Sequence, residues 1–343
     1  MRVLILGGSG LISTETTRAV LELGHDATAL TRGKTPFRVT KAAGREVKTV
    51  VGERQDAALL RKVLADVNPE AVIDLICYQP QEMRDLLAAR NPGLRQIVFV
   101  STVCALGGAL AEHPAGARTE CRPNSGYGRN KKELEEILSQ AHASGDVAAT
   151  TFRPSSTDGP GAWLSGSIWC RDPMLFRLLK ARRPVPVCAD VLCHHGSTRD
   201  VGRALALSAG RAACFGKKYQ VVGDECITHA EWTRRSAEGL GIHDPQIVEI
   251  PGAWLNEKLS NWKGVGFLRD IWRFHGCFDT SELKRDIPEW RPELTVADNT
   301  RLTWQWAKDS GKWAAAQADF KPEFEPEPLC EAHARASKAF FAE

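Results

Sequence analysis

Arg2-Val3-Leu4-Ile5-Leu6-Gly7-Gly8-Ser9-Gly10-Leu11-Ile12 opens the chain with four consecutive apolar residues, three glycines within four positions, and a return to apolar residues. Consecutive apolar residues in a short run suit a strand buried on both faces, whereas Thr14 to Leu23 carries apolar residues at helical spacing. Glycine between the two permits both a tight turn and close passage of backbone by a ligand. At the head of a helix, amide hydrogens in such a turn face a pyrophosphate. Gly7, Ser9, Gly10, Leu11 and Ile12 are therefore the first candidate cofactor-binding residues. The third glycine of the pattern, which lets helix and strand pack closely, is replaced by Ser13, so wider packing is expected there.

Outward from this turn, Ala27 to Leu30 completes a βαβ unit. The alternation continues through strands at Lys48–Val51, Ala71–Ile76, Gln96–Val100 and Ala148–Phe152. Helical stretches lie at 56–66, 81–89 and 127–140. Strands alternating with helices predict an α/β fold with a doubly wound parallel sheet of the Rossmann type. After Pro154 the regularity lapses into a stretch rich in glycine and proline, then helix Thr198–Ser208 and strand Lys218–Val222 resume it. The expected organisation is a dinucleotide-binding domain over 1–160 and 196–225, with a smaller discontinuous C-terminal substrate domain over 161–195 and 226–313. The proline-containing segment 314–343 reads as a surface tail. Seven of the ten tryptophans follow residue 250, which suits a core or an apolar pocket rim, and core is the better reading.

With 343 residues, 43% of them hydrophobic, the chain can bury a full core. Forty-five Lys and Arg against 42 Asp and Glu leave a formal charge of +3, so no overall field favours a nucleic-acid or membrane partner. The N-terminal apolar run is too short for a signal-peptide core or a membrane span, and a cytoplasmic location is expected. Ten cysteines occur without a Cys-x-x-Cys pair. Cys188, Cys193, His194 and His195 match no zinc spacing, so neither a metal site nor a disulfide framework is expected.

An acidic residue at the end of the second strand would accept hydrogen bonds from the ribose 2′-hydroxyl of NAD(H). Here that place reads Leu30-Thr31-Arg32-Gly33-Lys34. Two cations and no carboxylate favour a 2′-phosphate, and hence NADP(H) over NAD(H), through Arg32 with Lys34. Glu53, after the third strand, is a candidate acceptor for the adenine amino group. Of the three tyrosines, Tyr127 alone has a lysine four residues on, Lys131, so that on a helix the two share a face. A phenol titrates near pH 10, and a neighbouring ammonium that stabilises phenolate brings it into range for proton transfer.

These residues resemble the extended short-chain dehydrogenase/reductase superfamily, and within it the NAD-dependent epimerase/dehydratase family. The resemblance covers about residues 1–313 and rests on several features together. They are the glycine turn, Val100-Ser101-Thr102, Tyr127 with Lys131, Arg153-Pro154, Thr198 to Ala204, and the segment 278–306. It implies an NAD(P)-dependent enzyme with a catalytic set of Thr102, Tyr127 and Lys131, Ser101 being the runner-up for the hydroxyl. It also implies that Leu75, Ser101, Pro154 and Ser156 line the cofactor together with Tyr127 and Lys131, and that Tyr78, Cys104 and Arg199 meet the substrate. Relatives that eliminate water carry Asp-Glu directly after the threonine, where this chain has Val103-Cys104, so dehydration is disfavoured. The glutamate expected at the second of these positions in a decarboxylase is absent as well. Oxidation or reduction, and epimerisation through a transient ketone, both fit a small polar substrate such as a nucleotide sugar. The usual diphosphate-clamping arginine is missing near residue 190, with His194, His195 or Arg199 as substitutes. A cofactor-binding sensor or RNA-binding protein without catalysis is the reading from a different class. The family's habit of pairing two helices predicts a homodimer, for which Leu86, Leu87, Leu134 and Leu138 are suitable, although the same residues could equally face the chain's own sheet.

Overall fold

The computed structural model describes residues 1–341 except Ser167, Phe320 and Glu323. Its contacts divide the chain into two units. Unit 1 comprises Met1–Thr157, Gly196–Val222 and Phe278–Glu293, and unit 2 comprises Asp158–His195, Gly223–Cys277 and Leu294–Glu343.

Unit 1 is built on a seven-stranded sheet. Its strands are β1 (Arg2–Leu6), β2 (Asp26–Thr31), β3 (Lys48–Val51), β4 (Ala71–Asp74), β5 (Gln96–Val100), β6 (Ala148–Pro154) and β7 (Lys217–Val221). The order is β7-β6-β5-β4-β1-β2-β3, and all six pairings are parallel. The expected doubly wound sheet is present, and the strand expected at Lys218–Val222 is its seventh, β7, parallel to β6. Its helices are α1 (Leu11–Glu22), α2 (Ala57–Val67), α3 (Pro80–Ala89), α4 (Gly126–Ala143), α5 (Thr198–Ser208) and α6 (Ser281–Asp286).

The period of two along each strand explains the uninterrupted apolar runs. Leu4 and Leu6 of β1, with Ile97 and Phe99 of β5, face a core shared with α2, α3 and α4. Val3, Ile5, Val98 and Val100 face the opposite core, shared with α1, α5 and α6. Both faces of the inner strands are covered, which accounts for their apolar runs, while the edge strand β3 is largely exposed. Helix α1 lies very close to α5. A Cβ added at Gly202 would stand 2.6 Å from the Glu15 carbonyl carbon and the Thr16 nitrogen. Close helix packing here is thus made by a glycine on α5.

Of the two placements left open for the leucines of α3 and α4, this layer shows the second. Leu86, Leu134 and Leu138 are fully buried against the unit's own sheet, and Leu87 packs partly against the same core. The outer side of α3 and α4 is polar instead, with Arg84 Nη2 3.0 Å from Glu133 Oε1.

Unit 2 holds its own core, including Trp169, Phe176, Trp232 and Leu255. Late tryptophans divide between the two cores, Trp290 lying in unit 1, and Trp304 and Trp313 packing against the core of unit 2. Two boundaries differ from the sequence reading. Phe278–Glu293 belongs to unit 1, where Tyr219 Oη donates to Asp286 Oδ2 at 2.8 Å and Trp290 Nε1 donates to the Asp200 carbonyl at 2.8 Å. The described residues of the segment from 314 onward are built into unit 2. Arg183 pairs there with Glu325 and with Glu327 (Nε–Oε1 2.5 Å), and Cys330 is buried in the core. Among the described residues no helix is long and apolar enough to cross a membrane.

Candidate active site

The glycine turn connects β1 to α1. Gly7 adopts φ +96°, in the left-handed region, and a Cβ there would stand 2.5 Å from Ile76 Cγ2. A Cβ on Gly8 would stand 2.6 Å from Ala29 Cβ and 2.9 Å from the Phe37 ring. Gly10 caps α1 in extended conformation, with no side-chain hydrogen bond to the amides of the first turn. The head of α1, at Leu11 and Ile12, therefore keeps its dipole and its donors for an anion. Ser9 Oγ lies 3.2 Å from Thr31 Oγ1, which ties the turn to the end of β2. A close-passing backbone and an uncapped helix start fit the pyrophosphate of a dinucleotide.

Beyond Thr31, Arg32 and Lys34 are exposed. Lys34 Nζ is 3.9 Å from Glu53 Oε1, a contact between exposed charges that carries little stability. Sequence reasoning missed Arg38, whose Nη2 donates to Thr14 Oγ1 at 3.0 Å and brings a cation to α1. The recurrence of cations at 32, 34 and 38 was the available signal.

Below the turn lies a buried ion pair that was also missed. Arg54 Nη2 is 2.6 Å from Asp74 Oδ2, with both side chains almost fully buried, and Arg54 Nη1 donates to the Glu82 carbonyl at 2.9 Å. Asp74 Oδ1 accepts from Ile76 N at 3.2 Å, which orients the segment that meets Gly7. Leu75 is buried here, with its amide donating to the Leu6 carbonyl at 3.2 Å. The signal was a carboxylate inside the apolar run Ala71-Val72-Ile73-Asp74-Leu75.

Tyr127 and Lys131 stand in the first turns of α4, whose cap Ser125 accepts from Gly128 N at 3.1 Å. Lys131 is 1% exposed, and its Nζ donates to the carbonyls of Cys77 and Val100, each at 2.8 Å. Burial pushes its amine down to about 8, although Cys77, Asp74, Glu135 and Glu82 pull the other way. The ammonium lies 5.9 Å from the centroid of the Tyr127 ring, 4.9 Å from that of Tyr78 and 4.8 Å from that of Phe99. Tyr127 and Tyr78 are 43% and 45% exposed, so the buried charge has two rings beside it that open to solvent.

Gly128 explains how α4 reaches the end of β5. A Cβ at that position would stand 2.2 Å from the Cys104 carbonyl oxygen, a contact with backbone that nothing can relieve without moving the helix. Thr102 caps the short 3-10 turn Val103–Ala105 and accepts from Cys104 N at 3.2 Å. Thr102, Cys104 and the start of α4 are thereby held together. Ser101 has a different employment, donating from Oγ to Glu135 Oε1 at 2.6 Å.

Glu135, one turn beyond Lys131, is the hub of a buried network unseen in the sequence. Arg153 donates to it from Nε at 2.8 Å and Nη2 at 2.5 Å, and Lys218 Nζ stands 3.4 Å away. Burial alone would raise this carboxyl, but the Arg153 hydrogen bonds and charge outweigh it and hold the group below the usual range. The network joins α4 to the ends of β5, β6 and β7. Pro154 closes β6 beside it, buried, and Ser156 follows half-buried.

Arg199 is engaged elsewhere in unit 1, its Nε lying 3.7 Å from Glu293 Oε2, which Arg203 also pairs with. In unit 2, His195 Nδ1 is 3.0 Å from Asp158 Oδ2 and its ring stacks on Trp232 at 4.7 Å, while His194 is half-buried. Among the described residues no group of three or more His, Cys, Asp or Glu is arranged to hold a metal ion.

Residues 3–190 match the NAD dependent epimerase/dehydratase family. The 2′-dehydrokanamycin reductase of Streptomyces kanamyceticus is 28% identical over 298 residues, covering 85% of this chain and 80% of that protein. The chloroplast stem-loop binding protein of 41 kDa b from Arabidopsis thaliana is 24% identical over 333 residues, covering 93% and 82%. The solved structure of dTDP-glucose 4,6-dehydratase from Bacillus anthracis in complex with NAD aligns with a TM-score of 0.71 at 17% identity, covering 91% of this chain and 98% of that one. At that identity the likeness concerns the fold. The glycine turn, the parallel sheet and the family match over more than half the chain lead to one assignment: this protein belongs to the NAD-dependent epimerase/dehydratase family of extended short-chain dehydrogenase/reductase enzymes.

Proposed function

We propose that the protein is an NADP(H)-dependent reductase of a ketone or comparable polar compound, with Thr102, Tyr127 and Lys131 handling the proton. The observation that carries this reading is the Lys131 ammonium, buried on two carbonyls and 5.9 Å from the Tyr127 ring. When bound, the dihydropyridine supplies the hydride. Thr102 aligns the substrate oxygen by a hydrogen bond from its hydroxyl. Tyr127 donates its proton to that oxygen as negative charge develops on it. Lys131 has three donors, two of them used by Cys77 and Val100, and the third serves the nicotinamide ribose or the phenolic oxygen. Its charge favours the tyrosine oxygen in the form that has given up a proton, and solvent replaces the proton at the exposed ring edge.

Arg32 and Lys34, with no carboxylate at the end of β2, support NADP(H) over NAD(H). Glu53 is assigned to the adenine edge, Leu75, Ser101, Pro154 and Ser156 to the cofactor wall, and Tyr78 and Cys104 to the substrate side. Reduction rather than epimerisation is supported by the reductase among the relatives and by those cations, since the NADPH pool drives reductions. A cytoplasmic location and a homodimer complete the proposal as family-level expectations, the dimer to be checked by light scattering.

The test follows NADPH oxidation with a panel of keto compounds, including dehydro-aminoglycosides and nucleotide 4-keto sugars, for the wild type and Tyr127→Phe. Loss of turnover by about 10²- to 10⁴-fold in the variant is expected. Undiminished turnover would remove Tyr127 from the mechanism. Inversion of a nucleotide sugar without net cofactor consumption would replace the reductase reading by the epimerase one, and salt-sensitive stem-loop RNA binding without any turnover would replace both.

A further inference from the structure

We propose that Cys226 and Cys277 form a reversible oxidation site, in which a small disulfide such as oxidised glutathione converts the pair to an intramolecular disulfide. Their Sγ atoms lie 3.2 Å apart, with the Cys226 thiol donating to the Cys277 sulfur. Strand pairing brings them together from positions 51 residues apart. The strand Cys226–Thr228 runs antiparallel to Leu192–Ser197, with Cys226 opposite His194. Gly276 N donates to the Leu192 carbonyl at 2.8 Å, and Leu192 N donates to His275 Nδ1 at 3.2 Å. Residues 275–277 are thereby pinned beside the same strand. A disulfide bond of about 2.05 Å requires the sulfurs to close by roughly 1 Å, within reach of side-chain rotation.

Accessibility separates this pair from its neighbour. Cys226 and Cys277 are half-buried, open to a small oxidant, whereas Cys193 is buried and donates its thiol to the Ile227 carbonyl at 3.3 Å. Burial raises the Cys193 thiol well above the ordinary range and leaves it inert. Burial, followed by the hydrogen bond with Cys277, also pushes the Cys226 thiol up to about 12. The Cys226 thiol donates to the Cys277 sulfur, so the first attack is assigned to Cys277, the acceptor of that hydrogen bond. The Cys277 thiolate attacks one sulfur of the glutathione disulfide and expels a glutathione thiolate. The Cys226 thiolate then attacks the Cys277 sulfur of the mixed disulfide and expels the second. The protein loses two electrons and two protons, and the glutathione disulfide gains both as two thiols. The new bond joins the two ends of the segment Gly223–Cys277 of unit 2 and removes loop entropy from the unfolded chain. Such bonds in a reducing compartment are transient, which suits a reversible site.

The experiment incubates the folded, reduced full chain with oxidised glutathione, blocks free thiols, and maps non-reduced tryptic peptides beside intact mass and a thermal melt. The expected result is a single linked pair, Cys226 with Cys277, with loss of two hydrogens. The melting temperature should rise by about 5 °C and fall back on adding dithiothreitol. Cys193→Ser should keep the linkage, whereas Cys226→Ser should stop at a glutathione adduct on Cys277. Absence of the linked pair in folded wild type, its formation only in urea, or a linkage to Cys193 would each overturn the proposal. Should a variant fail to fold, the wild-type map alone decides.

Discussion

Lys131→Met converts the burial of an ammonium into a pH dependence of stability that can be measured without knowing the substrate. The amine is 1% exposed and pushed down to about 8 from an ordinary 10.5, chiefly by burial. The lysine's folded value lies below its unfolded one. Between about pH 8 and pH 10.5 the unfolded chain therefore binds a proton that the folded chain has released, and stability rises with pH through that window. The cost of the buried charge is present in full below about pH 8 and amounts to about 3 kcal/mol at about 1.4 kcal/mol per pH unit. Methionine of similar volume removes that cost and adds a constant one, the loss of donors to the Cys77 and Val100 carbonyls. Urea unfolding followed by circular dichroism at about pH 7 and about pH 10, on wild type and variant in parallel, cancels the titration of every other group. The wild type should gain about 2.5 kcal/mol on the variant between the two conditions. A difference that stays constant within about 0.5 kcal/mol would show that Lys131 keeps its proton in the folded state, and would refute the reasoning.

Gly128→Ala places a Cβ 2.2 Å from the Cys104 oxygen, so the start of α4 must retreat by about 1 Å; turnover should fall by about 10²-fold with circular dichroism preserved, and kinetics on the proposed substrate check it. Glu135→Gln leaves the buried Arg153 without its counter-ion, and urea unfolding should record a loss of about 3 kcal/mol, unaffected by salt. Arg32→Ala should weaken NADPH binding about tenfold in a calorimetric titration and leave NADH binding unchanged, and an unchanged ratio would count against the 2′-phosphate assignment.

Much of unit 1 was legible because its signals are local. The apolar run Val3–Leu6, the glycines after it and the helical spacing from Thr14 report a strand, a turn and a helix without reference to the rest of the chain. The same holds for the strand at Gln96–Val100 and for the four-residue step from Tyr127 to Lys131. Side-chain period alone predicted that Tyr127 and Lys131 share a face, and an ammonium beside the ring is what the helix delivers.

What escaped the sequence depends on which strands lie side by side. Arg54 meets Asp74 across 20 residues, and Arg153 meets Glu135 across 18, contacts that no periodicity encodes. Whether Leu134 and Leu138 faced a partner or their own sheet was equally open until α4 was seen lying on β5 and β6, with those leucines beneath it. The contacts of Ser101 and Gly128 were equally hidden, one with a buried carboxylate on α4 and the other with a carbonyl 2.2 Å from where a Cβ would be. Local order is written in the spacing of neighbours along the chain, whereas desolvation, ion pairing and steric contact are properties of residues that only the tertiary structure makes adjacent.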